Sequence, residues 1–200
     1  MRVAGETRAQ QSQRTRAAIL QAARARFAAD GFERTTIRAV AADAHIDPSM
    51  VMRYYGSKDG LFAAAADVDL DLPDLSGVPA GELGAAAVGH FLSRWEGDRA
   101  DDSLRILLAT AVTSTTAARQ MQDIFHAQLE PVVAAAGPHD PESAAVRAGL
   151  VASQMLGFAL CRYVLRLPPV VDLDHDAVLR WLGPVIQRYL SDPEPNGRHG

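Results

Sequence analysis

A single cysteine, Cys161, and a single lysine, Lys58, are all that this 200-residue sequence contains of either type. One thiol excludes an internal disulfide framework and fits a chain kept in a reducing compartment. The opening stretch, MRVAGETRAQQSQRTR, has no apolar core of the kind a secretory signal needs, so the chain is expected in the cytoplasm. Long hydrophobic runs are missing too. The longest, residues 148–161, holds Ser153 and Gln154 and is bounded by Arg147 and Arg162. It is shorter than a membrane crossing requires, which predicts a buried helix and no membrane partner. No internal repeat is visible. The 6 histidines are scattered and form no dyad with a nucleophile, so no catalytic residue and no cofactor are expected. His126 and Glu130 stand one helical turn apart and could form the edge of a metal site. No third ligand lies at a telling spacing, and no metal is expected.

What is present is an ordinary globular composition, 48% apolar and 22% charged. It is rich in Ala, with Pro and Gly gathered between periodic stretches, and predicts an all-α chain. The net charge of −4 hides an asymmetry, since residues 1–62 carry 10 Lys and Arg against 6 Asp and Glu while the remainder carries 10 against 18. Such a division suits a polyanion met by the first part alone.

Residues 35–58, TTIRAVAADAHIDPSMVMRYYGSK, organise that first part. A Thr hydroxyl at 35 or 36 can cap a short helix whose apolar face is Ile37, Val40 and Ala41. His45-Ile46 breaks the pattern. Asp47-Pro48 restarts it, Asp as cap and Pro at the first helical position. The second helix, 48–55, is too short to stand alone. It keeps Val51 and Tyr55 for the core and turns Ser49, Met50, Met52, Arg53 and Tyr54 outward, the arrangement by which a helix-turn-helix presents side chains to a DNA major groove. A preceding helix over 13–29 carries Ile19, Ala23 and Phe27 on one stripe and stops at Gly31. Ser57 starts a further helix to about residue 69.

Residues 14–66 resemble the N-terminal domain of the TetR family of transcriptional regulators. The features that carry the likeness are the helix ending in Phe-x-x-x-Gly-Phe, the Thr-Thr-hydrophobic-Arg entry, the turn, and the closing Tyr-Tyr-x-Ser-Lys-x-x-Leu-Phe. Matched residue by residue, the resemblance implies DNA contacts from Thr36, Arg38, Pro48, Ser49, Met50, Arg53, Tyr54 and Lys58. Arg38 suits a guanine edge or a phosphate. Lys58, at a helix N-terminus, suits a phosphate. The chain departs from the family pattern where His45 stands for a turn Gly, Met50 and Met52 for Thr and Tyr, and Gly56 for Pro. Its operator sequence therefore cannot be borrowed from relatives.

Apolar periodicity continues to about residue 190 and predicts about nine helices in all. A loop over 69–79 divides a DNA-binding domain, 13–69, from a larger regulatory domain, 79–191, with disordered tails at 1–12 and 193–200. The resemblance implies that the larger domain binds a small, largely apolar effector and pairs two copies of the chain. Phe91, Trp95, Met121, Phe125, Met155 and Phe158 suit the lining of such a pocket. Ala148, Val151, Ala152 and Ala159 on one helix, with Trp181, Val185 and Tyr189 on the last, suit the dimer face. The function implied is a ligand-released repressor binding a near-palindromic operator as a homodimer. The rivals are an architectural DNA-binding dimer without inducer and a helical-bundle enzyme.

Overall fold

The computed structural model describes residues 7–97, 102–137 and 140–193; among them every regular element is helical and there is no strand. The tails at 1–6 and 194–200 lie outside the described residues. The helices are α1 (Arg8–Arg34), α2 (Ile37–Asp43), α3 (Pro48–Tyr55), α4 (Lys58–Ala65), α5 (Leu83–Glu96), α6 (Asp102–Ala111), α7 (Thr115–Ile124), α8 (Glu130–Ala135), α9 (Pro141–Ala159) and α10 (His175–Ser191). A π-helical turn, Phe125–Leu129, joins α7 to α8 without a break, so the described helices number nine.

The chain divides into two compact units. The first holds the described residues up to Val68 together with Asp102–Met121; the second holds the rest. Thus α6 and most of α7, which follow the 69–79 loop in sequence, pack with the first unit. Its core gathers Ile19 and Phe27 of α1, Val40 of α2, Val51 of α3, and Leu61 and Phe62 of α4, all at most 2% exposed. Phe62 meets Phe27 and Phe32 edge to face, at 5.0 and 5.2 Å between ring centres. Two side chains of α7 hold α4 at both ends. Thr116 Oγ1 donates to Asp59 at 2.6 Å, and Gln120 Nε2 donates to the carbonyls of Ala63 and Ala66, each at 2.9 Å.

Residues 7–12 correct the expectation of a disordered start. Thr7 and Gln10 form a reciprocal capping box, which starts α1 at Arg8. Two orphan N–H groups are satisfied at once, and that nucleates the extra turns. Near the other end of α1, Gly31 adopts φ +73°, where any side chain would be strained. His45 takes φ 55° in the turn between α2 and α3, so this His occupies the left-handed position that glycine usually fills. Gly56 closes α3 at φ +73°, a backbone that proline cannot adopt because its ring fixes φ near −65°.

In the second unit α5 lies against α10. Gly84 makes the approach possible, because a Cβ there would sit 2.3 Å from the Gly183 carbonyl oxygen and 2.6 Å from the Gln187 nitrogen. Gly84→Ala is therefore expected to destabilise the chain by about 2–3 kcal/mol in urea unfolding, since backbone rather than flexible side chain must give way. A change indistinguishable from zero would show that the two helices slide apart at no cost. Leu83, Val88 and Leu92 of α5 and Val178, Ile186 and Leu190 of α10 form the centre of this core.

The long apolar helix is longer and less buried than its sequence predicts. Pro141–Val164, α9 with a following π turn, is 24 residues and by length and composition long enough to cross a membrane, and 28% of its apolar window is buried in the chain. Its two arginines are buried instead of marking its limits. Arg147 donates to Ser143 Oγ and to the carbonyls of Tyr189 and Asp192, closing the end of α10. Arg162 reaches Glu96 and the carbonyl of Val170, both at 2.7 Å. The faces left outside are apolar, with Val146 60%, Leu150 40% and, on α10, Trp181 76% exposed.

Candidate nucleic-acid interface and helical body

The turn between α2 and α3 is fixed by local caps. Thr36 Oγ1 accepts from the Ala39 N–H at 3.1 Å, and Asp47 Oδ1 from the Ser49 N–H at 2.8 Å. Hydrogen bonds from Ser49, side chain and backbone, hold the Asp47 carboxyl below its ordinary range. With both helices started this way, the expected DNA-contacting residues share the outside of the unit. Thr36, Arg38, Ser49 and Arg53 are exposed; Pro48, Met50, Tyr54 and Lys58 are half-buried. Met52 joins them, 45% exposed. The Thr36 hydroxyl keeps its proton to donate while its oxygen caps α2.

Lys58 is more constrained than its position suggested. Its ammonium donates to the Glu33 carbonyl at 3.2 Å and lies 4.3 Å from the centre of the Phe32 ring. Only one of its three N–H donors is used by that hydrogen bond, so the others remain for an anion. Tyr54 is the centre of a second cluster. Its hydroxyl meets Ser12 Oγ at 3.1 Å, and the guanidinium carbons of Arg16 and Arg53 lie 5.1 and 5.5 Å from its ring centre. The hydrogen bond with Ser12, then the two arginines, draw the Tyr54 phenol below its ordinary value. Ser12 is not among the expected contacts, because it sits on turns of α1 that the periodicity does not reach.

In the body, Phe91, Trp95 and Phe158 come together, with ring centres 5.9 and 6.1 Å from Phe91. Phe125 and Met155 pack against the same core. Met121 lies in the other unit. Tyr163, unremarked in the sequence, joins the cluster by stacking on Trp95 at 4.7 Å. Its hydroxyl donates to Glu96 Oε1 at 2.7 Å, where Arg162 also donates, while His175 Nε2 meets Glu96 Oε2 at 2.6 Å. No local spacing announces this group, since its members come from α5, the π turn after α9 and the start of α10. Burial pushes the Tyr163 phenol well above its usual value. Burial also opposes the Glu96 charge, but the hydrogen bonds from Arg162, Tyr163 and His175 outweigh it and hold the carboxyl low. A carboxyl depressed in the folded state adds stability above its unfolded pKa, and that stability is lost as pH falls through the folded value. The chain is therefore expected to weaken as pH drops below the ordinary Glu range of about 4.3, and Glu96→Gln to flatten that part of the stability–pH curve. An unchanged curve would place the acid sensitivity elsewhere.

Three residues expected on the dimer face are corrected by their burial. Ala148 and Ala159 are 0% and Val151 4% exposed within the chain, leaving no surface to cover. The Ala-rich helix is apolar on most sides, and the face that turns outward carries Val146 and Leu150. Ala152, Val185 and Tyr189 are half-buried. An open cleft of about 830 Å³ lies on this side, lined by Val146, Leu150, Arg188 and Tyr189 among others. It is distinct from the aromatic cluster. His126 and Glu130, the candidate metal edge, bond each other at 2.9 Å. Among the described residues no group of three or more His, Cys, Asp and Glu is placed to hold a metal ion.

A capped helix-turn-helix in one unit and an all-helical second unit are the features of a DNA-binding regulator. Residues 19–65 match the family described as bacterial regulatory proteins of the tetR family, and residues 81–190 match the tetracyclin repressor-like C-terminal domain. The chain belongs to the TetR family of transcriptional regulators, DNA-binding proteins and not enzymes. It is similar to the crystal structure of a TetR-family regulator from Streptomyces coelicolor A3, with 29% identity over 94% of this chain and 100% of that one and a TM-score of 0.62. A TetR-like regulator from Rhodococcus sp. RHA1 shows the same fold at 22% identity over 94% and 100%, TM-score 0.60. So does NalD, the secondary repressor of the MexAB-OprM multidrug efflux pump in Pseudomonas aeruginosa, at 19% identity over 92% and 100%, TM-score 0.65. No curated protein matches the chain.

Proposed function

We propose that this regulator is a cytoplasmic repressor that binds a near-palindromic operator as a homodimer and is released by a small, largely apolar molecule. The observation that carries the reading is the pairing of two features. The face of α2 and α3 is open and basic, with Arg38 and Arg53 exposed. The face of α9 and α10 is open and apolar, with Trp181, Val146 and Leu150 uncovered. The first suits a major groove and its phosphates. The second suits a second copy of the same surface, as a twofold dimer requires. Two heads then read half-sites about 34–36 Å apart, one turn of DNA.

Residues 13–69 act in this reading as the DNA-binding domain and 79–191 as the regulatory one, although α6 and the start of α7 pack with the head. Thr36, Arg38 and Lys58 position the head on the backbone or a base edge, and the N-terminal end of α3, Pro48, Ser49 and Met50, enters the groove. Met50 and Met52 offer apolar contact to thymine methyls where relatives hydrogen-bond. In the body, Phe91, Trp95, Phe125, Met155 and Phe158 are the surfaces offered to the effector. An effector that releases DNA must bind the released form more tightly than the DNA-bound form. The test is selection of duplexes from a random pool by the purified chain. Recovery of a near-palindromic sequence supports the reading, and recovery of unrelated duplexes favours an architectural role.

A further inference from the structure

We propose that His90, Arg94 and Gln128 are positioning residues that clamp the chain at Asp69–Leu70, and that the closed clamp sets the specific affinity for DNA. This rests on the DNA-binding reading and adds a control point to it. None of the three is among the residues assigned above to DNA, to an effector or to the dimer face.

Residues 67–74 run irregularly after α4, so their backbone groups must find partners outside a helix. At two consecutive residues those partners are side chains. The Leu70 N–H donates to Gln128 Oε1 at 2.7 Å, and His90 Nε2 donates to the Leu70 carbonyl at 2.9 Å. Arg94 Nη2 donates to the Asp69 carbonyl at 3.0 Å. His90 and Arg94 stand one turn apart on one face of α5, and Gln128 comes from the π turn between α7 and α8. Arg94 is only 9% exposed, and an arginine is buried that far only where acceptors meet it. Next to the clamp, Asp71 is held at φ 50° with its N–H on Asp69 Oδ1 at 2.9 Å. A non-glycine residue keeps that left-handed backbone when its surroundings hold it there. The clamp lies wholly in the second unit, which takes up the chain at Asp69, directly after the first unit releases it at Val68. It therefore fixes where the chain arriving from α4 is received. A segment ordered in advance costs less to order on binding, so the closed clamp favours a two-headed grip on one duplex. Gln128 is the jaw that can move. A π turn holds one residue more than the α-helical turn it replaces, and such turns gather at functional positions. Phe125 and Leu129 of the same turn pack against the core of the second unit. Return of the turn to α-helical register swings Gln128 by about 100° and withdraws its oxygen from Leu70. Repacking around Phe125 and Leu129 thus reaches Leu70 through an element with two arrangements, as coupling at a distance requires.

The full chain and its Gln128→Leu, Gln128→Glu and His90→Phe variants are titrated onto two fluorescent duplexes, one recovered from a random pool and one of unrelated sequence. The Leu70 amide is followed by hydrogen–deuterium exchange. Gln128→Leu should speed Leu70 exchange and weaken binding of the recovered duplex on the order of tenfold. Binding of the unrelated duplex and the salt slope should stay, because no phosphate contact is lost. Gln128→Glu keeps an acceptor for the Leu70 N–H and should bind the recovered duplex within about threefold of the wild type. His90→Phe should repeat the loss seen with Gln128→Leu, and it carries the test if Gln128→Leu does not fold. Faster Leu70 exchange with the recovered duplex bound at wild-type affinity overturns the clamp as a control point and leaves the DNA-binding reading standing. An equal loss on both duplexes does the same, because it marks a general weakening of the fold. Unchanged Leu70 exchange in Gln128→Leu overturns the clamp itself. A wild type that prefers no duplex overturns the DNA-binding reading and the role of the clamp together.

Discussion

Trp181→Asp is expected to sediment as a single subunit at concentrations where the wild type is paired. Trp181 is 76% exposed on α10, and an uncovered Trp on an apolar face is the side chain most able to anchor an interface. Truncating such an anchor costs about 2–4 kcal/mol, roughly thirty- to a thousandfold in dissociation constant, and the added carboxylate must be desolvated as well. The fold should survive, because the side chain contributes little to the core of its own subunit. Pairing should be lost together with tight operator binding, while the weak binding of one head to random duplex remains. A variant that stays paired would move the interface away from α9 and α10.

Arg38→Ala is expected to weaken operator binding strongly at physiological salt without loss of thermal stability. The side chain is exposed on the second residue of α2, whose start depends on the Thr36 cap and not on Arg38. A bidentate contact to guanine contributes about 1–3 kcal/mol of discrimination, and it is made by both heads of a dimer. If Arg38 meets a base, the variant loses preference at one operator position and keeps its salt slope. If it meets a phosphate, every sequence is weakened alike and the slope falls. Undiminished operator affinity would remove Arg38 from the interface.

Much of the first unit was legible because its instructions are local. Thr36, Asp47 and Ser57 each cap the helix that follows, and each was recognisable from its place before an apolar stripe. In the body, Asp140 and Asp174 cap α9 and α10 by the same local rule. Its facing was not. A helix with Ala and Val on most sides carries no strong contrast between inside and outside, so Ala148 and Val151 were read outward when they are buried. Arg147 and Arg162 misled in the opposite sense, because a charged side chain is buried only when distant carbonyls or carboxylates meet it. The π turns were equally hidden. Between α7 and α8 the helix widens over the Phe125–Leu129 turn, just before Pro131. Proline disturbs the backbone a turn before its own position. The Ser12–Tyr54 and Glu96–Tyr163 contacts join residues 42 and 67 apart, distances at which no spacing rule operates.

The central claim is that two copies of this chain read one duplex. Mass photometry of the chain on a duplex recovered from a random pool measures it directly. The account predicts two subunits, or a whole multiple of two, on each duplex, with pairing lost when the half-sites are moved apart by half a helical turn. One subunit per duplex, or equal occupancy of an unrelated sequence, would contradict it.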